Sequence, residues 1–498
     1  MSLTDLVTVV VYDYLWGLPL IFLVLGAGIY LTVKTGFFQF KFLKQSFVQT
    51  KKSLFGEAKE RGGSRTGVLS SFEAMSMALG TTIGVGNIGG VATAIAMGGP
   101  GAIFWMWVAG ILGLVIKTVE ITLAVYYRSK DENNESYGGP NYYIQKGIGI
   151  EKKHRMLARF LGFVFAFGFI LGIFLNIQTY TVSEAVAGTF NLDINMVAVV
   201  YTIALYAMIS GGMKKIGQIA TYIVPIMCIF YIIGGIVVLL SNIGNLIPSL
   251  ALIVKSAFTP VAAAGGFTGA GVSLALKSGM SRSVFSNEAG WGSAPMIHAS
   301  AKVNHPLKQG LLGIFEVFFD TIIICSLTAL VIIVTGQWQS GLDGATLTLS
   351  AFETGMGTLG RIVLAVGIFF FGLTTSGGVY SQVEVVLRYV FGNSKIKKSL
   401  LIGYKWFYPI PSIALVFIAS KHGLPGTTVW LFSDASTALP IFANILTLLI
   451  LTPKFIEIVK DYKARYMGVG RIRENYPVFY EGSNEENQVD EPLSEERR

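Results

Sequence analysis

Charge is scarce in this chain of 498 residues: Asp, Glu, Lys and Arg make up 13% of it, about half the ~25% of a typical soluble domain. A soluble fold of this length would present more charge to water, so a water-soluble enzyme is excluded. Cysteine is nearly absent. Cys228 and Cys325 both sit inside apolar runs, which removes a disulfide framework and a thiolate metal site. Acidic residues number 29 against 38 Lys and Arg, for a formal charge of +9. Hydrophobic residues, by contrast, reach 52%, and there are 34 Phe and 58 Gly. Membrane helices use glycine for close packing and for deliberate breaks, so the composition describes an integral membrane protein.

A spanning helix needs about 20 mostly apolar residues. Candidates lie near 13–33, 67–96, 102–127, 157–188, 194–210, 218–241, 264–280, 309–335, 358–390, 400–420 and 427–452, which predicts eleven crossings. No Lys or Arg precedes Lys34, while Asp5 and Asp13 are acidic. The first segment therefore lacks the basic front of a signal peptide and reads as a retained helix with its N-terminus outside. Eleven crossings then put 34–66, 128–159, 211–217, 277–308, 388–405 and everything after 453 inside. These stretches hold 34 of the 38 Lys and Arg, the bias expected of cytoplasmic loops. The exceptions are Lys117, Lys255, Arg361 and Lys421. The positive charge is thus a topology signal for a plasma-membrane protein with a cytoplasmic C-terminus, not a nucleic-acid-binding face. The tail of 456–498 ends in polar, mixed charge that reads as disordered.

Two segments are interrupted by glycine. The second runs Gly80-Thr81-Thr82-Ile83-Gly84-Val85-Gly86-Asn87-Ile88-Gly89-Gly90, and the seventh Gly265-Gly266-Phe267-Thr268-Gly269-Ala270-Gly271-Val272-Ser273. Each interior glycine costs a helix about 1 kcal/mol, and a bilayer has no water for freed backbone groups. Irregular backbone survives at that depth where it lines a cavity or is buried in protein. Either stretch alone would read as tight packing. Two of them five helices apart, in opposite orientations, predict an all-α 5+5 inverted repeat with one extra N-terminal helix. The expected parts are 1–66 (extra helix and basic loop), 67–241 (first repeat), 242–263 (external connection) and 264–455 (second repeat). Residues 84–89 also match G-x-G-x-x-G, but no strand precedes them and a membrane run follows, so a dinucleotide site is rejected.

These residues resemble the alanine or glycine:cation symporters, the sodium:alanine carrier family, over most of residues 10–455. The most specific stretches are GGPGAIFWMW (Gly98 to Trp107) after GVGNIGGVATA, and FSNEAGWGSAP (Phe285 to Pro295) followed by His305-Pro306 and Phe319-Asp320-Thr321. The resemblance implies a leucine-transporter-type fold, sodium coupling and a small neutral amino acid as substrate. It suggests Thr82, Gly84, Val85, Gly86, Gln178, Phe267, Gly271 and Val379 for the substrate. For sodium it suggests Thr82, Asn87, Thr268, Thr374 and Thr375, with the carbonyls of Gly80, Ile83 and Phe371. The family usually has Trp at the position of Val379, Asn at that of Tyr180 and Thr at that of Val85. Loss of the indole opens space, which extends the expected substrate from alanine or glycine toward larger side chains such as glutamine, although Tyr180 could refill the gap.

The chemistry is consistent with this. Sodium leaving its hydration shell needs replacement oxygens, which freed carbonyls and Thr or Asn side chains supply without formal charge. The competing fate of each hydroxyl is a bond to its own helix's i−4 carbonyl. A substrate carboxylate suits the amides that open the second half of a broken helix, and its amine suits the carbonyls that close a first half. No Lys or Arg lies near the middle of segments 2, 7 or 9, which favours a neutral side chain. Glu120 near Lys117, and Glu184, Glu288, Glu316, Asp320 and Glu384, read as interior pairs or helix-end residues, with Glu384–Arg388 spaced i,i+4. His298 and His305 read as inner-loop residues without metal-ligand spacing. No Walker loop, hydrolase elbow or zinc-helix motif occurs. The expected protein is a symporter, not an enzyme, with no cofactor beyond co-transported sodium. Its expected partners are a neutral amino acid and the lipid bilayer, and no protein partner is evident. A uniporter, channel or membrane amino-acid sensor is the alternative.

Overall fold

The computed structural model describes residues 9–55, 68–131, 135–172, 174, 176–259, 271–392, 394–473 and 476–480. They are helical apart from turns and one small antiparallel hairpin, Ser129–Lys130 with Ser136–Tyr137. Without water, apolar chain must satisfy its own backbone, and the helix does so within one segment. Seven described helices are long and apolar enough to cross a membrane: Ser71–Gly98, Gly101–Tyr126, Gly212–Ser241, Pro306–Val334, Thr358–Phe391, Lys397–His422 and Thr428–Met467. Shorter apolar helices occupy Leu18–Lys34, Ile194–Ile209 and Ile243–Ser256.

Burial separates core helices from lipid-facing ones. The apolar window of Ser71–Gly98 is 100% buried and that of Gly101–Tyr126 is 83% buried, against 33% for Gly212–Ser241 and 28% for Lys397–His422. The last two present apolar faces such as Ile226, Ile229, Phe230 and Ile233, or Trp406, Ile410 and Phe417. Small residues let the central helices touch. A Cβ on Gly279 would overlap the Ala102 carbonyl, and one on Gly378 would overlap Thr81. This is the close approach that membrane packing draws from glycine.

The structure corrects two expectations about segments. The fourth segment is not one helix: Arg155–Leu171 and Gln178–Phe190 are separate, and the Asn176 side chain accepts the Gln178 N–H at 3.0 Å. In the seventh segment, residues 265–270 lie outside the described residues, and from Gly271 onward the chain is regular helix, Val272–Asn287. An irregular turn follows that helix, at 288–293. The supposed inner loop 277–308 is mostly this helix and its buried continuation. Lys277 pairs with Asp13 at 3.0 Å, at the same end of the bundle as residue 13, and Arg282 is fully buried. Two of the four basic residues assigned to that loop therefore leave the one-sided tally.

Of the two histidines read as loop residues, only His305 lies in a connection. His298 closes the helix Ala294–His298, is fully buried and meets Glu316 at 2.8 Å. His305 caps the helix that starts at Pro306 by accepting the Leu307 N–H. Burial lowers its imidazole below the usual histidine range, against the opposing pull of Asp461. Glu384 and Arg388 do form the i,i+4 pair, at 2.8 Å. At this end Leu69 and Ala301 form a parallel bridge: Lys302 N–H donates to the Leu69 carbonyl, and Val68 N–H to that of Ser300.

Gly279→Ala drives a Cβ into rigid backbone, so it should destabilise the bundle by about 1–3 kcal/mol, the usual cost of overpacking. Gly26→Ala, with nothing within 4 Å of the new atom, should be neutral or stabilising. Melting temperatures of the two variants purified in detergent provide the test, and equal values would reject the packing argument.

Candidate substrate and ion site

The first break is short. The helix Ser71–Thr82 starts with a capping box between Ser70 and Glu73 and ends at Ile83, whose backbone is extended (φ −81°, ψ 93°). The chain rewinds through a wide turn, Gly86–Gly90, into Val91–Gly98. The break leaves backbone groups that distant side chains satisfy. Thr375, from Thr358–Phe391, donates its hydroxyl to the Gly80 carbonyl at 2.9 Å. Gly84 N–H donates to the Asn87 amide oxygen at 2.9 Å. A Cβ on Gly84 would overlap the Thr375 hydroxyl, so glycine is required there by close approach.

The second break runs from Glu288 to Ser293, between the helices Val272–Asn287 and Ala294–His298. Glu288, Gly290 and Gly292 all have positive φ, at 57°, 86° and 81°. Polar groups from three other helices hold it. Lys117 donates its ammonium to the Asn287 carbonyl at 2.8 Å. Asn444 donates to the Gly290 carbonyl at 3.0 Å and to Glu120 at 2.9 Å, and it accepts from the Tyr143 hydroxyl. Within the turn, Ala289 N–H donates to the Asn287 side chain.

Between the breaks lies a small cavity, lined by Thr81, Thr82, Val85, Gly86, Gln178, Phe285, Glu288, Trp291, Thr375 and Val379. Its walls are closed on both sides. Phe285 stacks on Trp291 (centroids 5.9 Å) and meets Trp430 edge-on (5.3 Å). Beyond Trp430 the Arg282 guanidinium pairs with both Asp434 oxygens, at 2.7 and 2.8 Å, in full burial. Trp16 donates to the Asp434 carbonyl, which joins the N-terminal part of the chain to this closure. On the other side Phe169 packs against Trp291 at 5.8 Å.

The expected site residues divide as follows. Thr82, Val85, Gly86, Gln178, Thr375 and Val379 line the cavity, and Gly84 lies against the Thr375 hydroxyl. Gly80, Phe371, Thr374 and Thr375 converge beside it. The Thr374 hydroxyl donates to the Phe371 carbonyl of its own helix at 2.9 Å, and a Cβ on Gly80 would lie 3.1 Å from Thr374 Cβ. Ile83 is buried at the break. Thr82 donates to its own helix, to Leu79 at 3.2 Å. Gly271 is brought nowhere near: it is exposed at the start of its helix. Phe267 and Thr268 lie outside the described residues.

Asn87 is engaged differently from the expectation. Its amide nitrogen donates to Asp320 at 2.6 Å and to Cys325 at 3.3 Å. Asp320 also accepts from Ser286 and Thr321, at 3.0 and 2.8 Å, and is fully buried. Asp320, Phe285, Glu288 and Trp291 were quoted in the sequence without a role in the site. The sequence signal for Glu288 and Trp291 is the run of polar and glycine residues Ser286-Asn287-Glu288-Ala289-Gly290-Trp291-Gly292; Asp320 and Phe285 have no comparable mark.

A bundle of apolar helices, two of them broken around an enclosed polar cavity, defines a membrane carrier. A model of the sodium:alanine symporter family matches residues 1–471, and the chain belongs to that family. It is 39% identical to an uncharacterized transporter of Haemophilus influenzae, covering 91% of this chain and 95% of the other. It is 37% identical to the sodium/alanine symporter AgcS of Methanococcus maripaludis (91% and 96%) and 34% identical to the probable sodium/glutamine symporter GlnT of Bacillus subtilis (94% and 91%). Among solved structures, MhsT in complex with L-phenylalanine matches with a TM-score of 0.54 at 15% identity, over 80% of this chain and 99% of that one. The Eremococcus coleocola manganese transporter matches at 0.51 and 12%, over 82% and 92%. These two likenesses establish the leucine-transporter-type fold alone.

Lys117→Met should remove a buried charged donor from the Asn287 carbonyl and leave Glu120 without the nearby ammonium. Losing one member of such a buried set costs about 3–5 kcal/mol. The expected outcome is a clear fall in the melting temperature of the purified protein. Wild-type stability in this variant would show that the second break does not depend on the lysine.

Proposed function

We propose that the protein couples inward sodium movement to uptake of a neutral amino acid by alternating access. The observation that carries the proposal is the Thr375 hydroxyl on the Gly80 carbonyl, at the edge of a closed cavity between two broken helices. Thr374, Thr375 and the carbonyls of Gly80, Ile83 and Phe371 offer five oxygens without formal charge, the donor type a dehydrated sodium ion requires. Asn87 belongs to a neighbouring polar group with Asp320 and holds the break in shape. The amides that reopen the first broken helix at Gly86 suit the substrate carboxylate, because a helix N-terminus carries partial positive charge.

Substrate size is set by the wall formed by Val85, Gln178 and Val379. Valine at 379 is smaller than the indole the family usually carries there, so the reading covers alanine, glycine and larger neutral amino acids such as glutamine. Eleven crossings, an outside N-terminus, a cytoplasmic C-terminus and halves at 67–241 and 264–455 complete the proposal. Its support is the Lys and Arg distribution of the loops, which stays one-sided without Lys277 and Arg282.

Proteoliposomes should accumulate labelled alanine, glycine or glutamine under an inward sodium gradient and not without one. Folded protein that accumulates none of the three would move the chain to a sensor or to another solute, and flux without saturation or counterflow would make it a channel. Thr375→Ala should raise the sodium concentration for half-maximal uptake by about tenfold, the weight of one lost ~1.4 kcal/mol interaction, with substrate preference unchanged at saturating sodium. An unaltered sodium dependence would remove Thr375 from the ion site. Val379→Trp should shift preference toward the smallest substrates, and an unaltered ranking would refute the assigned wall.

A further inference from the structure

We propose that Glu288 receives the ammonium group of the transported amino acid. The inference rests on the reading of the cavity as an amino-acid site and assigns it a charged contact. Glu288 lines the cavity and is 1% exposed. It opens the second break in the left-handed conformation. Its carboxylate accepts from the Ser293 hydroxyl at 2.6 Å and from the Gln382 amide at 3.4 Å. Both donors are neutral and both meet the same oxygen, Oε2, and the Thr81 hydroxyl, also neutral, lies beside the carboxylate.

A buried carboxylate needs a counter-charge, since moving it out of water costs several kcal/mol even after relaxation. Among the described residues Glu288 forms no ion pair. The cationic groups of the surrounding core have other partners. Lys117, whose charge also reaches Glu288, gives its hydrogen bond to the Asn287 carbonyl and is shared with Glu120 and Asp320, Arg282 is held by Asp434, and His298 meets Glu316. The nearby carboxylates Glu120 and Glu316 add negative charge, not positive. The group that enters this cavity therefore has reason to bring a cation with it.

A zwitterion fits that requirement. Gly86 and Glu288 belong to opposite breaks and share one cavity wall set. The amides at Gly86 and the carboxylate of Glu288 present opposite charge to two groups separated by one carbon. Charge-assisted hydrogen bonds are about twice as strong as neutral ones, so Glu288 would make the free ammonium a condition of binding. Side-chain size would be read elsewhere, at Val379 and Gln178. The site should reject the 2-hydroxy acid of the same shape and the N-acylated amino acid, both of which lack the cation.

The test uses the full-length protein in proteoliposomes. Unlabelled lactate and N-acetylalanine, each at a hundredfold excess, are set against sodium-driven uptake of labelled alanine, or of whichever of glycine and glutamine the wild type moves. Neither should compete. Competition by either at the strength of unlabelled substrate would overturn the inference without any variant. Glu288→Gln should raise the half-saturation concentration for the amino acid by about 10- to 100-fold and bring its binding to within a few-fold of lactate's. Glu288→Asp, which keeps the charge, should lie between. Because a purely structural glutamate would lower the amount of active protein without narrowing the amino-acid to hydroxy-acid ratio, that ratio is the deciding readout. A Gln variant that keeps the wild-type half-saturation would refute Glu288 as the ammonium partner and leave sodium symport standing. Absence of sodium-driven uptake in the wild type would instead remove the proposed function on which the inference depends.

Discussion

The structure depends on how the backbone groups freed by two helix breaks are paired deep inside an apolar bundle. An unpaired carbonyl or amide there costs several kcal/mol, because no water can reach it. Each break is therefore served by side chains from elsewhere in the chain. Thr375 comes 295 residues from Gly80 to meet its carbonyl, and Asn444 comes 154 residues from Gly290. Lys117 meets Asn287 across 170 residues. These bonds fix the relative positions of the broken helices, the Gly101–Tyr126 helix, the Thr358–Phe391 helix and the final long helix. The cavity follows from that arrangement. Its polar lining consists largely of residues adjacent to the groups that hold the breaks together.

Closure of the cavity is built from the same elements. Phe285 sits one turn beyond Arg282 on the Val272–Asn287 helix, so the aromatic lid and the Arg282–Asp434 pair move with one rigid piece. Both partners of that pair are fully buried. Such a pair adds little net stability over apolar packing, but separating it leaves two unpaired charges, so a partly open state is disfavoured unless water enters. At the opposite end, the bridge between Leu69 and Ala301 ties the entrance of the first broken helix to the exit of the second. Movement of one inner half-helix is then transmitted to the other through three backbone hydrogen bonds. The two broken elements are coupled by main chain at one end and by a shared cavity in the middle.

Much of this was legible in the sequence, and the failures are specific. The glycines from Gly84 to Gly90 located the first break, and the paired hydroxyls at Thr374 and Thr375 located the helix that meets it. The irregular turn at 288–293 had no such mark. It holds two glycines where 265–271 holds four, and it uses a glutamate at φ 57° together with them. A non-glycine residue in that conformation is a rare choice, and no one-dimensional pattern announces it. Arg282 misled for a related reason. Counted as a cytoplasmic charge, it is buried because Asp434, 152 residues away, supplies its partner. The interruption at 172–177 was missed since Phe-rich sequence on one side and Thr-rich sequence on the other still average to a single apolar run.

Buried charge is the last constraint, and it limits what the proposed hydroxyl-lined ion site can be. Four carboxylates, those of Glu120, Glu288, Glu316 and Asp320, are buried near the breaks, while Lys117 and the Glu316 partner His298 are the basic groups the described structure places among them. Asp320 is met by three neutral donors from Asn87, Ser286 and Thr321. Those donors disperse its charge without cancelling it. Asn87 bonds Asp320 through nitrogen and Gly84 through oxygen, so the state of this carboxylate bears directly on the backbone of the first break. The oxygens gathered by Thr374 and Thr375 lie on the other side of that same short stretch, against Gly80 and Gly84. Any cation drawn to them acts on a backbone segment of a few residues whose shape Asp320 already holds from behind. In the proposed ion site, cation binding and cavity shape would be linked through Ile83, Gly84 and Val85, just past the point where the helix ends with the Ile83 N–H on the Leu79 carbonyl.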